Sequence, residues 1–181
     1  MPRYIAFLRA VNVGGRIVKM DELRGHFAAA GFADVATFIA SGNVVFSSSA
    51  RNTADAEQVI EKQLKQALGY DVATFIRTPA EVAAAAAHMP YAEKDVASAG
   101  AFVAAFIKAP LDAAGKKGLA ALGSPGERFV ANGREVYWLS TLKQSESTIT
   151  ITKFERAVGG PATMRAMTSL RKLAAKHCVP R

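Results

Sequence analysis

The order of β-favouring and helix-favouring stretches over residues 3–78 is strand, helix, strand, strand, helix, strand, and the same order returns over residues 101–177 with one helix added. Few folds accept a repeated six-element order, because each copy has to close a sheet of its own and bury what that sheet leaves apolar. Residues 4–13 carry no helical period and end at Gly14 and Gly15, a strand running into a tight loop. Met20, Leu23, Phe27 and Ala30 follow at spacings of three and four with Gly31 behind them, a short amphipathic helix with a glycine stop. Residues 35–39 and 43–47 are β-favouring runs joined by Ala40, Ser41 and Gly42, a hairpin turn. Thr53 is placed to cap a long helix whose Ala56, Ile60, Leu64 and Leu68 share one face until Gly69, and residues 72–77 supply a fourth strand.

Thr78 and Pro79 open a connector helix rich in alanine, and residues 90–100 have the mixed charge and small residues of a linker. The second copy opens with an apolar strand over residues 101–109, followed by a helix over 111–122 that Gly115 and Gly118 weaken. Asn132-Gly133 between residues 127–131 and 135–139 is a strong hairpin signal. Residues 149–158 alternate like a strand but also space Ile151, Phe154 and Val158 like a helix; helix is the reading adopted. A short strand over 163–166 and a final helix capped by Thr168 complete the copy.

The implied class is α+β: two ferredoxin-like, split βαβ units (βαββαβ) with antiparallel sheets, a connector helix and a C-terminal helix. The expected division is residues 1–78, a connector over 79–100, and 101–181. The first strand of each unit is apolar on both alternations, Ile5 and Phe7 against Tyr4, Ala6 and Leu8, then Val103 and Ala105 against Phe102, Ala104 and Phe106. Such strands are buried on both faces, so the halves and the added helices are expected to cover one another.

No apolar run approaches the roughly 20 residues that span a bilayer, and the first residues carry no cleavage-site pattern, so no membrane partner and a cytoplasmic location are expected. The lone Cys178 has no disulfide partner, and its place near the chain end marks it as incidental. His26, His88 and His177 fall in separate helices without ligand spacing and read as surface or helix-end residues, so no metal site is expected. The acids Asp95, Asp112, Glu127, Glu135, Glu146 and Glu155 show no paired spacing for acid–base work and read as solvated charges. Tyr137 and Trp138 on one hairpin read as one core and one surface aromatic rather than as a base-stacking platform. With 23 Lys and Arg against 15 Asp and Glu, the net charge of +8 favours anionic partners, although the cations are dispersed.

The run Leu8-Arg9-Ala10-Val11-Asn12-Val13-Gly14-Gly15, with Lys19-Met20 and then Phe38-Ile39-Ala40-Ser41-Gly42-Asn43-Val44-Val45-Phe46, resembles the bacterial proteins grouped as domain of unknown function family 1697. The resemblance implies a duplicated α+β body with no established cofactor and no assigned reaction. The chain departs from that pattern in having Ala10 where a glycine is usual, Ala40 where an amide is common, and Ala166-Met167-Thr168 where Asn-Trp-Asn often stands.

In the split βαβ topology the end of the first strand, the start of the first helix and the hairpin share one sheet edge. Arg9, Asn12, Gly14, Gly15, Lys19, Ser41, Gly42 and Asn43 therefore form the candidate ligand-binding group, with catalytic residues unknown and no cofactor implied. Glycines beside a helix start, together with a lysine, suit a phosphate. The plain structural reading is that the glycines shape a loop while Ser41 and Asn43 satisfy turn hydrogen bonds. Three functions stay open at this stage: a binding module for a phosphorylated ligand, nucleotide or nucleic acid; a small-molecule enzyme with a site between the halves; and a self-associating protein, monomer or homodimer being undecided.

Overall fold

The computed structural model describes residues 1–12 and 14–179, with the backbone alone at 40 and 41. Contacts divide the chain into two units, Met1–Ala84 with Lys172–Arg181, and Ala85–Arg171. In chain order the elements are β1 (Arg3–Leu8), α1 (Met20–Ala29), β2 (Ala33–Phe38), β3 (Ala40–Ser47), α2 (Thr53–Leu68), β4 (Thr74–Arg77), α3 (Pro79–Ala87), α4 (Glu93–Ser98), β5 (Ala101–Ile107), α5 (Ala113–Leu122), β6 (Glu127–Asn132), β7 (Glu135–Ser140), α6 (Ile151–Val158), β8 (Ala162–Ala166) and α7 (Met167–His177). The sheets run β2-β3-β1-β4 and β6-β7-β5-β8, all neighbours antiparallel, which is the ferredoxin-like order in both units.

In the first unit α1 packs on β2 and β3 while α2 packs on β4, so both helices lie on one face. Tyr4, Ala6 and Leu8 join Leu23, Phe27, Ile60 and Leu64 in the core beneath them. On the opposite face Ile5, Phe7, Val45 and Phe75 are also fully buried, as the double apolar alternation of β1 requires. In the second unit α5 and α6 pack together, over a core that includes Ala105, Leu119, Val136, Phe154 and Val158.

The outer edge of β4 leaves backbone amides without a strand partner, and two carboxylates one helical turn apart on α2 supply acceptors. Glu61 takes the Thr74 N–H and Glu57 the Ile76 N–H, each at 2.8 Å. The pitch of a helix turn nearly equals two residues of strand, so acids at i and i+4 match alternate amides. Glu155 of α6 does the same for the Ala162 N–H of β8 at 3.1 Å. An edge treated this way cannot recruit a foreign strand. Glu155, expected to be a solvated charge, is therefore a structural acceptor. Asp112 likewise caps α5 through Gly115 N–H at 2.7 Å, and Glu127 accepts from Trp138 Nε1–H at 2.6 Å and Ser147 Oγ–H at 2.7 Å.

Several local expectations shift. Asn52 rather than Thr53 caps α2, its side chain accepting from Asp55 N–H, because Asn52 keeps the extended backbone of a cap (φ −152°, ψ 169°) while Thr53 is already the first helical residue. The supposed linker folds into α4, and α7 begins at Met167 directly after β8, which puts Thr168 inside the helix. The β2–β3 connection turns at Ile39 rather than across Ala40, Ser41 and Gly42, since Phe38 already pairs with Ala40. Thr78 does cap α3, in a reciprocal box: its Oγ1 accepts from Glu81 N–H at 3.2 Å and Glu81 accepts from Thr78 N–H at 2.8 Å.

The two glycines of α5 are there for close approach. A Cβ at Gly115 would lie 3.0 Å from the Val158 carbonyl oxygen, and one at Gly118 would overlap the Ala157 carbonyl. Alanine gains about 1 kcal/mol of helix propensity over glycine, but overpacking against a backbone carbonyl that cannot rotate away costs about 1–3 kcal/mol. Gly118→Ala is expected to lower stability by a net of up to about 2 kcal/mol, read as a lower urea midpoint at unchanged slope; a raised midpoint would contradict the close-approach argument.

Candidate functional site

Register decides what meets at each end of the first sheet. Phe7 pairs with Asn43 at one end and Arg3 with Ser47 at the other, so the loop leaving β1 lies beside the start of β3. Residues 9–12 and 14–19 lie in that loop. Arg9 N–H reaches Ala73 O at 2.9 Å, Tyr70 O–H donates to Val11 O at 2.7 Å, and Asn12 Oδ1 accepts from Val18 N–H at 2.8 Å. Val11 and Val18 are buried and peg the loop down. The Arg16 guanidinium lies 4.7 Å from the centre of the Tyr70 ring.

Between these anchors the backbone is left-handed at Ala10 (φ 51°), Gly14 (φ 61°) and Gly15 (φ 78°). No atom lies within 4 Å of where a Cβ would sit on either glycine. Residues 9–20 hold Arg9, Arg16 and Lys19 and no acid. Asp71, on the neighbouring loop, pairs with Lys65 at 2.7 Å, and Asp21, in the first turn of α1, pairs with Arg24.

Of the candidate group, Gly14, Gly15 and Lys19 are exposed and Arg9 and Gly42 are half-buried. Asn12 and Asn43 brace turns: Asn12 through Val18 as above, and buried Asn43 by donating from Nδ2 to Phe38 O at 3.1 Å. The Ser41 side chain lies outside the described residues. Sequence reasoning gave Arg16 and Tyr70 no part in this group; Arg16 was visible only as one dispersed cation and Tyr70 as a residue between a helix and a strand.

The rim also carries exposed apolar groups: Ile17 is 79% exposed, Ile39 54% and Met20 42%. Arg24 Nη1–H donates to Thr37 Oγ1 at 3.1 Å, fixing α1 against β2. Met20 is one helical turn before Arg24 and Ile39 two residues beyond Thr37, so both belong to this end of the sheet. Ile39 is a β-branched residue with φ 63°, a conformation such side chains rarely adopt.

In the second unit Tyr137 and Trp138 are both buried, so the hairpin presents neither as a surface aromatic; Tyr137 O–H donates to Ala85 O at 3.2 Å. Among the described residues no cluster of three metal-ligating side chains occurs, and no helix is long and apolar enough to cross a membrane.

The model of a family described as protein of unknown function (DUF1697) matches residues 1–137. The chain belongs to that family. The matched span contains the whole rim and ends before Ala166-Met167-Thr168, where Met167 is buried at the β8–α7 junction. Among solved structures the chain is similar to conserved bacterial protein SP0830 from Streptococcus pneumoniae, with 20% identity, a TM-score of 0.75, and coverage of 97% of this chain and 98% of that one. At that identity the likeness is one of fold. No curated protein matches.

Ala10, the alanine of the loop, adopts a left-handed backbone (φ 51°) that glycine takes without strain. A left-handed L-residue costs about 1–2 kcal/mol, partly offset by the greater chain entropy of glycine when unfolded. Ala10→Gly and Ile39→Gly are each expected to raise stability by about 1 kcal/mol in chemical denaturation; a loss at either position would show the strain to be absent.

Proposed function

We propose that the first unit binds a phosphate-bearing ligand, nucleotide or nucleic acid, at the rim formed by the β1–α1 loop. The observation that carries the reading is the loop itself. Two consecutive left-handed glycines with open space above them let a ligand approach the backbone, and three cations stand within twelve residues that contain no acid. A phosphate gains from close backbone amides, from the positive start of α1 and from Lys19 and Arg16 together. Ile17, Met20 and Ile39 offer apolar footing beside the cations, which suits an organic phosphate better than a bare one.

The reading confines binding to the 1–78 subdomain. At the matching place in the second unit, between β5 and α5, the chain reads Lys108-Ala109-Pro110-Leu111-Asp112, with no glycine pair and with an acid that caps the helix. The strand order repeats while the loop chemistry does not.

The test is calorimetric titration of tripolyphosphate, ATP and a short single-stranded RNA into the protein and into Arg16→Glu/Lys19→Glu. Wild type is expected to bind at least one of the three with an affinity that falls steeply as salt rises. The double variant is expected to lose at least about tenfold, since each charge-assisted contact contributes about 1.5–3 kcal/mol, while its melting temperature stays close to wild type. Unchanged affinity in the variant, or no heat with any of the three, rejects the rim.

A further inference from the structure

We propose a second binding site in the first unit, at the sheet end opposite the rim: a cavity that takes an organic monocarboxylate, with its carboxylate on the Arg3 guanidinium. The cavity has a volume of ≈ 1020 Å³, at the upper end of the roughly 300–1,000 Å³ of small-molecule sites. Its lining includes Arg3, Asp34, Ser47, Ala83, His177 and Cys178. Arg3 and Ser47 are the paired residues that close this end of the sheet, so rim and cavity lie at opposite ends of β1.

The argument starts from Arg3. Its guanidinium is half-buried and pairs with no carboxylate among the described residues; its one side-chain partner is His177 Nδ1, at 3.4 Å. A guanidinium carries five donors in a planar fork and keeps its charge, so a half-buried one without an acid lacks the group it fits best. Because Arg3 can only donate, Nδ1 accepts and the imidazole proton sits on Nε2. That Nε2–H finds no acceptor, and the ring stands edge-on to Phe38, centroids 5.3 Å apart at 84°.

The other titratable groups around the cavity do not supply the missing anion. Burial, then Arg3 and Lys176, hold His177 below the ordinary histidine range, so it is neutral near pH 7. Burial raises the Cys178 thiol, with Arg3 opposing, so it remains protonated and adds soft apolar surface. Asp34 is exposed and makes no ion pair with Arg3; its charge nearby disfavours a dianion and so favours a monoanion over phosphate. The first turn of α3 and Ala83 give the ligand body an apolar wall. Met1 stands beside Arg3 in the lining, and the fork of the Arg3 guanidinium, a neutral ring and an apolar wall together match a carboxylate on an aliphatic or aromatic body.

The experiment is an NMR titration of the uniformly nitrogen-15-labelled full chain, following His177 against benzoate, benzyl alcohol and inorganic phosphate. Benzoate is expected to shift His177 saturably and to raise its pKa, since an added anion favours the imidazolium; benzyl alcohol and phosphate are expected to bind at least about tenfold more weakly. Arg3→Gln should weaken benzoate by at least about tenfold and, with the cation gone, should start from a higher His177 pKa, which also reports that the end of α7 is still in place. Ala83→Leu should fill the cavity and abolish the benzoate response while leaving the starting pKa unmoved. The site is overturned by no saturable response of His177 to benzoate or by full benzoate affinity in Arg3→Gln, and its monocarboxylate class by phosphate binding as well as benzoate. Rim ligands should perturb Gly14 and Gly15 amides and leave His177 alone, so the two proposals fail separately.

Discussion

The placement of β1 between β3 and β4 is the constraint from which the rest of the first unit follows. Side chains alternate across a strand, so slipping β1 by one residue would carry Tyr4, Ala6 and Leu8 out of the helix-side core and bring Ile5 and Phe7 into it. In most antiparallel sheets one face is solvated and the penalty for slipping comes from polarity. Here both faces are apolar, and the register is set by shape: the small Ala6 sits under the helices, while Phe7 packs on the other side. That single register places Phe7 opposite Asn43 and Arg3 opposite Ser47, and thereby decides which polar residues share each end of the sheet.

The end that carries the glycine loop is held by its neighbours more than by its own hydrogen bonds. Tyr70 comes from the α2–β4 connection, and its hydroxyl fixes Val11 from outside the loop. Strain survives only where surroundings over-determine it. Of the three described non-glycine residues with positive φ, Ala10 and Ile39 lie at this end of the sheet and Asp34 lines the cavity at the other. Ile39 is the more telling of the two, because an exposed β-branched side chain in a tight turn contributes neither core packing nor backbone ease. Like Ile17 and Met20 it leaves an apolar side chain in water.

Topology was legible in the sequence because each element announces itself through periodicity. The 3.6-residue period of α2, the Asn132-Gly133 turn and the doubly apolar first strands sufficed for the strand order. The α6 segment was ambiguous only while taken alone; once Thr150 caps it and Gly159 ends it in a left-handed turn, the helical spacing of Phe154 and Val158 prevails. What remained hidden were contacts between residues far apart in sequence. Nothing local distinguishes Glu57 and Glu61, which cover a strand edge, from acids that face water. Tyr70 and Arg16 are 54 positions apart yet stack on one another, a pairing that composition cannot show. The cavity at Arg3 brings together the first strand, the start of α3 and the end of α7, and a cysteine near a chain end gives no sign of that company.

The two units share a strand order and the device of a carboxylate on the fourth-strand edge, but they divide the chemistry unequally. In the second unit the acids are spent on structure: Asp112 on a helix start, Glu127 on Trp138 and Ser147, Glu155 on β8. Its glycines serve helix contact at Gly115 and Gly118 instead of opening a loop. In the first unit the loop glycines have no close neighbours, the rim cations have no acids among them, and Arg3 faces a cavity without an ion partner. The repeated strand order therefore carries two different loop chemistries after its first strand: an open, glycine-containing loop in the first unit and a carboxylate-capped helix start in the second.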